Sequence, residues 1–188
     1  MRKRFLGTAC AAVSFLAVAG ASADTITVDD NRNVRGNLLD IQSASAGHRG
    51  KSIQHTITTY HGWRSSELRS TSSQPRTVAV YIWDARRASS AAHDYEVFAR
   101  FRNGRLRGTV IKTRPRKRVV GHFPVRRLDR HSISFAFAPK LIGGPRRYKW
   151  QSITGFTGKG CPKVPKFQFG CDDSAPTGGA RLHDLTLP

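Results

Sequence analysis

"YEVFARFRNGRLRGTV", residues 95–110, reads as two β-strands and the turn between them. Asn103-Gly104 suits a type I′ turn, whose two central residues both take positive φ, and a two-residue loop of this type fixes the register of the strands it joins. Arg102 then faces Arg105, Phe101 faces Leu106, Arg100 faces Arg107 and Val97 faces Val110. Paired residues share a face and each strand alternates between faces. Val97, Phe101, Leu106 and Val110 therefore form a core side, and Arg100, Arg102, Arg105 and Arg107 all lie on the other. Like charges directly opposite each other are unfavourable. Solvent and salt, Glu96, or an anionic ligand must offset them. A guanidinium suits the last of these, because it binds phosphate or carboxylate through two parallel hydrogen bonds.

The chain continues in the same vein. "KTRPRKRVVGHFPVRR", residues 112–127, holds seven Lys or Arg and no acid. Arg114, Arg116, Lys117 and Arg118 join the four hairpin arginines as candidate ligand-binding residues.

Further strands are predicted on either side. In 51–60, Ile53 and Ile57 share a face with His55 between them, a position that suits a buried structural histidine. In 77–83, Val78, Val80 and Ile82 alternate with Tyr81 and Trp83. Segments 119–125, 132–138 and 148–156 complete the set; in 132–138, Ile133, Phe135 and Phe137 alternate with Ser132, Ser134 and Ala136. Residues 62–76 are polar and Ser-rich, a loop. "PKLIGGPR" reads as a single helical turn or a loop, stopped by Gly143, Gly144 and Pro145. No long segment carries a helical period, a heptad or a repeat. Short alternating runs broken by turn residues predict one all-β domain, an antiparallel sandwich of about eight strands.

The N-terminus reads as an address. Met1-Arg2-Lys3-Arg4 precedes an apolar run from Phe5 to Ala19 and a small-residue site at Ala21-Ser22-Ala23, the layout of a secretory signal peptide over 1–23. Without those residues, 29 Lys and Arg face 12 acids, a net charge of +17 on 165 residues. In a secreted protein such a surplus attracts polyanions: wall polymers, lipid headgroups, nucleic acid or acidic glycans. Export also fits the cysteines. Cys10 belongs to the leader, and Cys161 and Cys171 remain as a pair expected to form a disulfide.

No catalytic constellation stands out among the seven histidines. None lies in H-E-x-x-H, and no serine in G-x-S-x-G. His93 beside Asp94 and Glu96 fits acid–base work on paper, but an ordinary surface loop fits better. Trp63, Tyr81, Trp83 and Trp150 are candidates for stacking on sugars or bases; core packing is the expectation for Trp150, and Trp63, in a polar loop, is left open. Asp29, Asp30, Asp40, Asp172 and Asp173 cluster at the two ends of the chain, and Asp29, Asp40, Asp172 and Asp173 could supply oxygens to calcium if those ends meet. More often such acids cap strands or pair with Arg, and no metal or cofactor is predicted.

"GNLLDIQSASAGHRG", "YEVFARFRNGRLRGTV", "FAPKLIGGPRRYKWQS" and "CDDSAPTGG" together resemble a group of secreted bacterial β-sandwich proteins of unknown function, laid out like jelly-roll domains of the DOMON and carbohydrate-binding type. The resemblance implies that Asp40 opens the first strand and Asp173 closes the last, as a clamp between the chain ends, sometimes with a metal. This chain departs from such modules in being far more basic. The resulting expectation is a secreted, monomeric, non-enzymatic protein that binds an anionic partner through its basic hairpin. The alternatives are a carbohydrate-binding accessory module and a structural secreted protein whose charge only keeps it soluble.

Overall fold

Asn103 and Gly104 adopt φ of 49° and 76° in the computed structural model, which describes residues 24–34 and 36–187. The turn pairs Arg102 with Arg105, Phe101 with Leu106, Arg100 with Arg107 and Val97 with Val110, as its sequence dictates. The predicted signal peptide, 1–23, lies outside the described residues.

The strands are β1 (Ile26–Asp29), β2 (Ile41–Arg49), β3 (Ser52–Thr59), β4 (Thr77–Asp84), β5 (Tyr95–Arg102), β6 (Arg105–Lys112), β7 (Arg118–Arg127), β8 (Ser132–Phe137), β9 (Arg147–Phe156), β10 (Cys171–Ala175) and β11 (Arg181–Asp184). Single 3₁₀ turns occupy Ser65–Leu68 and Pro139–Ile142. The second stands where a single helical turn or a loop is expected, and Gly143, with φ of 85°, ends it. Every strand pairing is antiparallel, in the order β1-β2-β3-β8-β7-β6-β5-β4-β9-β10, with β11 also on β9. All-β antiparallel architecture thus holds. Among the described residues the strands number eleven rather than about eight, and they form one continuous sheet nearly closed into a barrel.

Closure depends on β7. Its first part pairs with β6 as far as Pro124, and its last three residues pair with β8. Pro124 has no N–H to donate and sits where the strand changes partner. Gly108, opposite Phe123, makes room for that ring: a Cβ there would lie 2.3 Å from it.

Alternation places Ile53, His55, Ile57, Val78, Val80, Ile82, Val97, Ala99, Ile133, Phe135, Tyr148 and Trp150 inside, all essentially inaccessible to water. His55 is wholly buried, its Nε2 3.0 Å from the Tyr148 hydroxyl. Removal from water pushes its pKa down to about 3. It is therefore a neutral core residue.

The last gap in the barrel lies between β2 and β10, and side chains bridge it. The Ile41 N–H donates to Asp173 Oδ2 at 2.6 Å, the Thr154 hydroxyl to the Leu39 carbonyl at 2.7 Å, and the Thr177 hydroxyl to Asp30 Oδ1 at 2.8 Å. Asp40 and Asp173 are both buried at this seam. Burial raises both carboxyls, that of Asp173 to about 6. Among the described residues no group of three or more His, Cys, Asp or Glu is placed to hold a metal ion. The seam acids instead receive backbone N–H groups and join the two ends of the chain.

Candidate anion-binding rim

Two rims close the barrel. At one lie the β5–β6 turn, the β7–β8 turn (128–131), the β3–β4 loop and the β9–β10 loop (157–170). At the other lie the β4–β5 and β8–β9 loops and the β6–β7 loop carrying Arg114, Arg116 and Lys117.

The candidate cations therefore divide. Arg100, Arg102, Arg105 and Arg107 are exposed on the outer face at the first rim. Arg114, Arg116, Lys117 and Arg118 are exposed at the second. From Arg105 to Lys112 the strand covers about 23 Å at ~3.3 Å per residue, so the two groups do not form one patch although they adjoin in sequence. Lys117 is also partly engaged, its Nζ 3.9 Å from Glu96 Oε2. None of the four hairpin arginines has an ion pair among the described residues. Glu96, the acid among the three possible offsets, faces Lys117 toward the opposite rim. Arg100 stacks instead on the outward ring of Phe98, its Cζ 4.7 Å from the centroid, and this keeps the guanidinium spread over the sheet.

Strand β7 returns to the first rim and adds Arg126, exposed, two residues beyond Pro124 and on the same outer face as Arg107. The period of two along β7 was the available signal for it. Arg127 points the other way, its guanidinium 3.5 Å from the Trp63 ring centroid and donating to the Trp63 carbonyl. Arg69 lies over Phe101 at 5.7 Å. The β9–β10 loop contributes exposed Lys159, Lys163 and Lys166, with no acid between 157 and 170. Cys161 and Cys171 form the expected disulfide across this loop.

Of the stacking candidates, the three tryptophans are buried and Tyr81 is half-buried. Trp63 and Trp83 are each 5 % exposed and Trp150 is fully buried. The Trp63 indole N–H donates to the Thr59 hydroxyl, and that of Trp83 to the Ala91 carbonyl. His93 is not a free surface side chain. It stacks on Tyr81, ring centroids 4.0 Å apart, and burial lowers its pKa. At the second rim a cavity of about 560 Å³ is lined by residues including Asp84, Arg87, Asp94, Tyr95 and Lys112. Arg87 and Asp94 pair there at 3.3 Å.

No protein-family model matches this chain, and no curated protein or solved structure is significantly similar to it. Function has to be read from the rim itself.

Proposed function

We propose that the protein binds an anionic partner, without catalysis, through the outer face of the β5–β6 hairpin. The observation that carries this reading is the set Arg100, Arg102, Arg105 and Arg107: exposed, paired across two strands, joined by Arg126, and without acidic partners among the described residues. A hairpin selected for stability alone would alternate charge signs across its strands. Five guanidiniums spaced on a pleated face instead present donors to a chain or surface of phosphates or carboxylates. The buried tryptophans leave a sugar-stacking module without its platform.

Two quadruple variants test the site. Arg100, Arg102, Arg105 and Arg107 changed together to Gln remove the hairpin charges; Arg114, Arg116, Lys140 and Arg146 changed to Gln remove as many from the opposite rim. The first variant should bind heparin more weakly, with a salt slope flatter by roughly one unit for each anionic group that an arginine no longer neutralises, and should fold no less stably. The second should keep most of the wild-type slope. Equal losses in the two would mean that only total charge matters and that the hairpin is not a site.

A further inference from the structure

The geometry points to an anionic lipid surface as the partner of the hairpin rim, met by cations and by two apolar side chains that the loops hold out. This rests on the charge reading above and adds what charge alone does not explain. Phe167 is 76 % exposed and Leu128 49 % exposed, the first in the β9–β10 loop and the second in the β7–β8 turn, both on the hairpin rim.

Phe167 is held outward by its loop. The disulfide ties one end of the loop to β10, and Gly160 sits so close to Gly36 that a Cβ on Gly36 would lie 2.4 Å from the Gly160 carbonyl oxygen. The Phe167 N–H donates to the Ser72 carbonyl at 3.0 Å, and its φ is 68°, left-handed backbone that a bulky side chain rarely adopts. Two residues on, Phe169 folds down onto Gly155, whose absent Cβ would lie 2.5 Å from the ring. Of two phenylalanines in one anchored loop, one packs and the other is displayed.

The surroundings select the partner. Lys163 and Lys166 precede Phe167 in its loop, and Arg126 and Arg130 flank Leu128, with Asp129 as the acid of that turn. The Asp129 carboxylate is occupied by the N–H groups of His131 and Ser132. Exposed apolar tips set among cations match the layout of a headgroup layer over acyl chains, where the tips bury and the cations meet phosphates. Nucleic acid or an acidic glycan would use the same cations and leave Leu128 in water. Among the described strands the large apolar residues are buried or half-buried except Val119 and Leu182, which lie toward the opposite rim, so contact is by the hairpin rim and lies at the membrane surface.

Vesicles of phosphatidylglycerol and phosphatidylcholine, against phosphatidylcholine alone, test this. With Trp63, Trp83 and Trp150 buried, Phe167→Trp adds a surface reporter whose emission should shift to the blue on the anionic vesicles and stay unchanged on heparin. The double variant Phe167→Ser/Leu128→Ser, altering only exposed side chains, should lose at least about tenfold in vesicle affinity and bind heparin like the wild type. Wild-type binding to heparin but not to vesicles, or equal vesicle binding by the double variant, overturns the lipid assignment and leaves the charge reading standing. An equal loss on single-stranded DNA would reassign Phe167 to base stacking and likewise overturn it. Failure of the wild type on both vesicles and heparin would sink both readings.

Discussion

His55 shows how one residue in an apolar cage sets a pH limit on the whole fold. It stacks on Phe137 and meets Trp150 and Tyr148 edge-on, and it is wholly buried, away from the solvent that would stabilise a charge. Its pKa is pushed down to about 3 from the ordinary 6.5, so the unfolded chain takes up a proton there more readily than the folded one. The stability it contributes is complete above pH 6.5 and falls by about 1.4 kcal/mol per unit as the pH drops toward 3. His183, also fully buried, is lowered by burial in the same sense. Asp173 opposes them: raised to about 6, it favours the fold at low pH, and that contribution disappears as the pH rises from about 4 through 6. His55→Gln keeps a hydrogen-bonding partner for Tyr148 and removes the titration. Denaturant unfolding at pH 7.5 and 4.5 should show the loss on acidification smaller by roughly 2–3 kcal/mol in the variant. An unchanged loss would mean that His55 is hydrated or already charged in the fold.

Among the elements, legibility followed the strength of local chemistry. The β5–β6 hairpin was readable to the residue because Asn-Gly dictates both turn type and register. Strands β3, β4, β8 and β9 were readable because their apolar residues alternate over a full strand. Four strands carried little or no such signal. β1 and β11 span only four residues each; β1 alternates half-buried and exposed residues, and β11 buries His183 alone of its four. The middle of β2, residues 43–47, is all Ser, Ala and Gly, and β10 opens with Cys-Asp-Asp. These are held by their neighbours and by the seam contacts of Asp173 and Thr154 more than by their own propensity. The site divided the same way. Arg100 to Arg107 was visible in the sequence, whereas the separation of Arg114 to Arg118 by the length of a strand required knowing that β6 runs away from the turn. The β9–β10 loop has no regular structure and is tied down by the disulfide, the Gly36–Gly160 contact and the Phe167 hydrogen bond to Ser72. Cys161→Ser/Cys171→Ser should therefore cost about 2–3 kcal/mol of stability, and limited proteolysis should cut the variant near Lys163 and Lys166 first. A variant as protease-resistant as the wild type would show that the Gly36–Gly160 contact and the Ser72 hydrogen bond hold the loop unaided.

For the molecule as a whole, the imbalance of charge should govern how it responds to salt. The chain has 32 Lys and Arg against 12 Asp and Glu, and several of those acids are spent within the protein. Asp40 and Asp173 are buried at the seam, Asp129 accepts backbone N–H groups, and Glu67 and Asp184 pair with Arg76 and Arg147. Few acids remain to neutralise the surface, so cation–cation repulsion outweighs attraction over most of it. Salt screens exposed charges beyond a Debye length of about 8–10 Å near physiological strength. In a protein stabilised by surface ion pairs, added salt would weaken the fold. Here it should relieve repulsion, and the melting temperature should rise between 10 mM and 500 mM sodium chloride. The hairpin variant with four Gln should begin at a higher melting temperature and gain less from salt, because part of its repulsion has already been removed. A multivalent anion that engages the rim should act at far lower concentration than chloride, since it stabilises by binding the folded state. A melting temperature that falls steadily with salt would show that the ion pairs dominate, and that the exposed arginines are too far apart to repel.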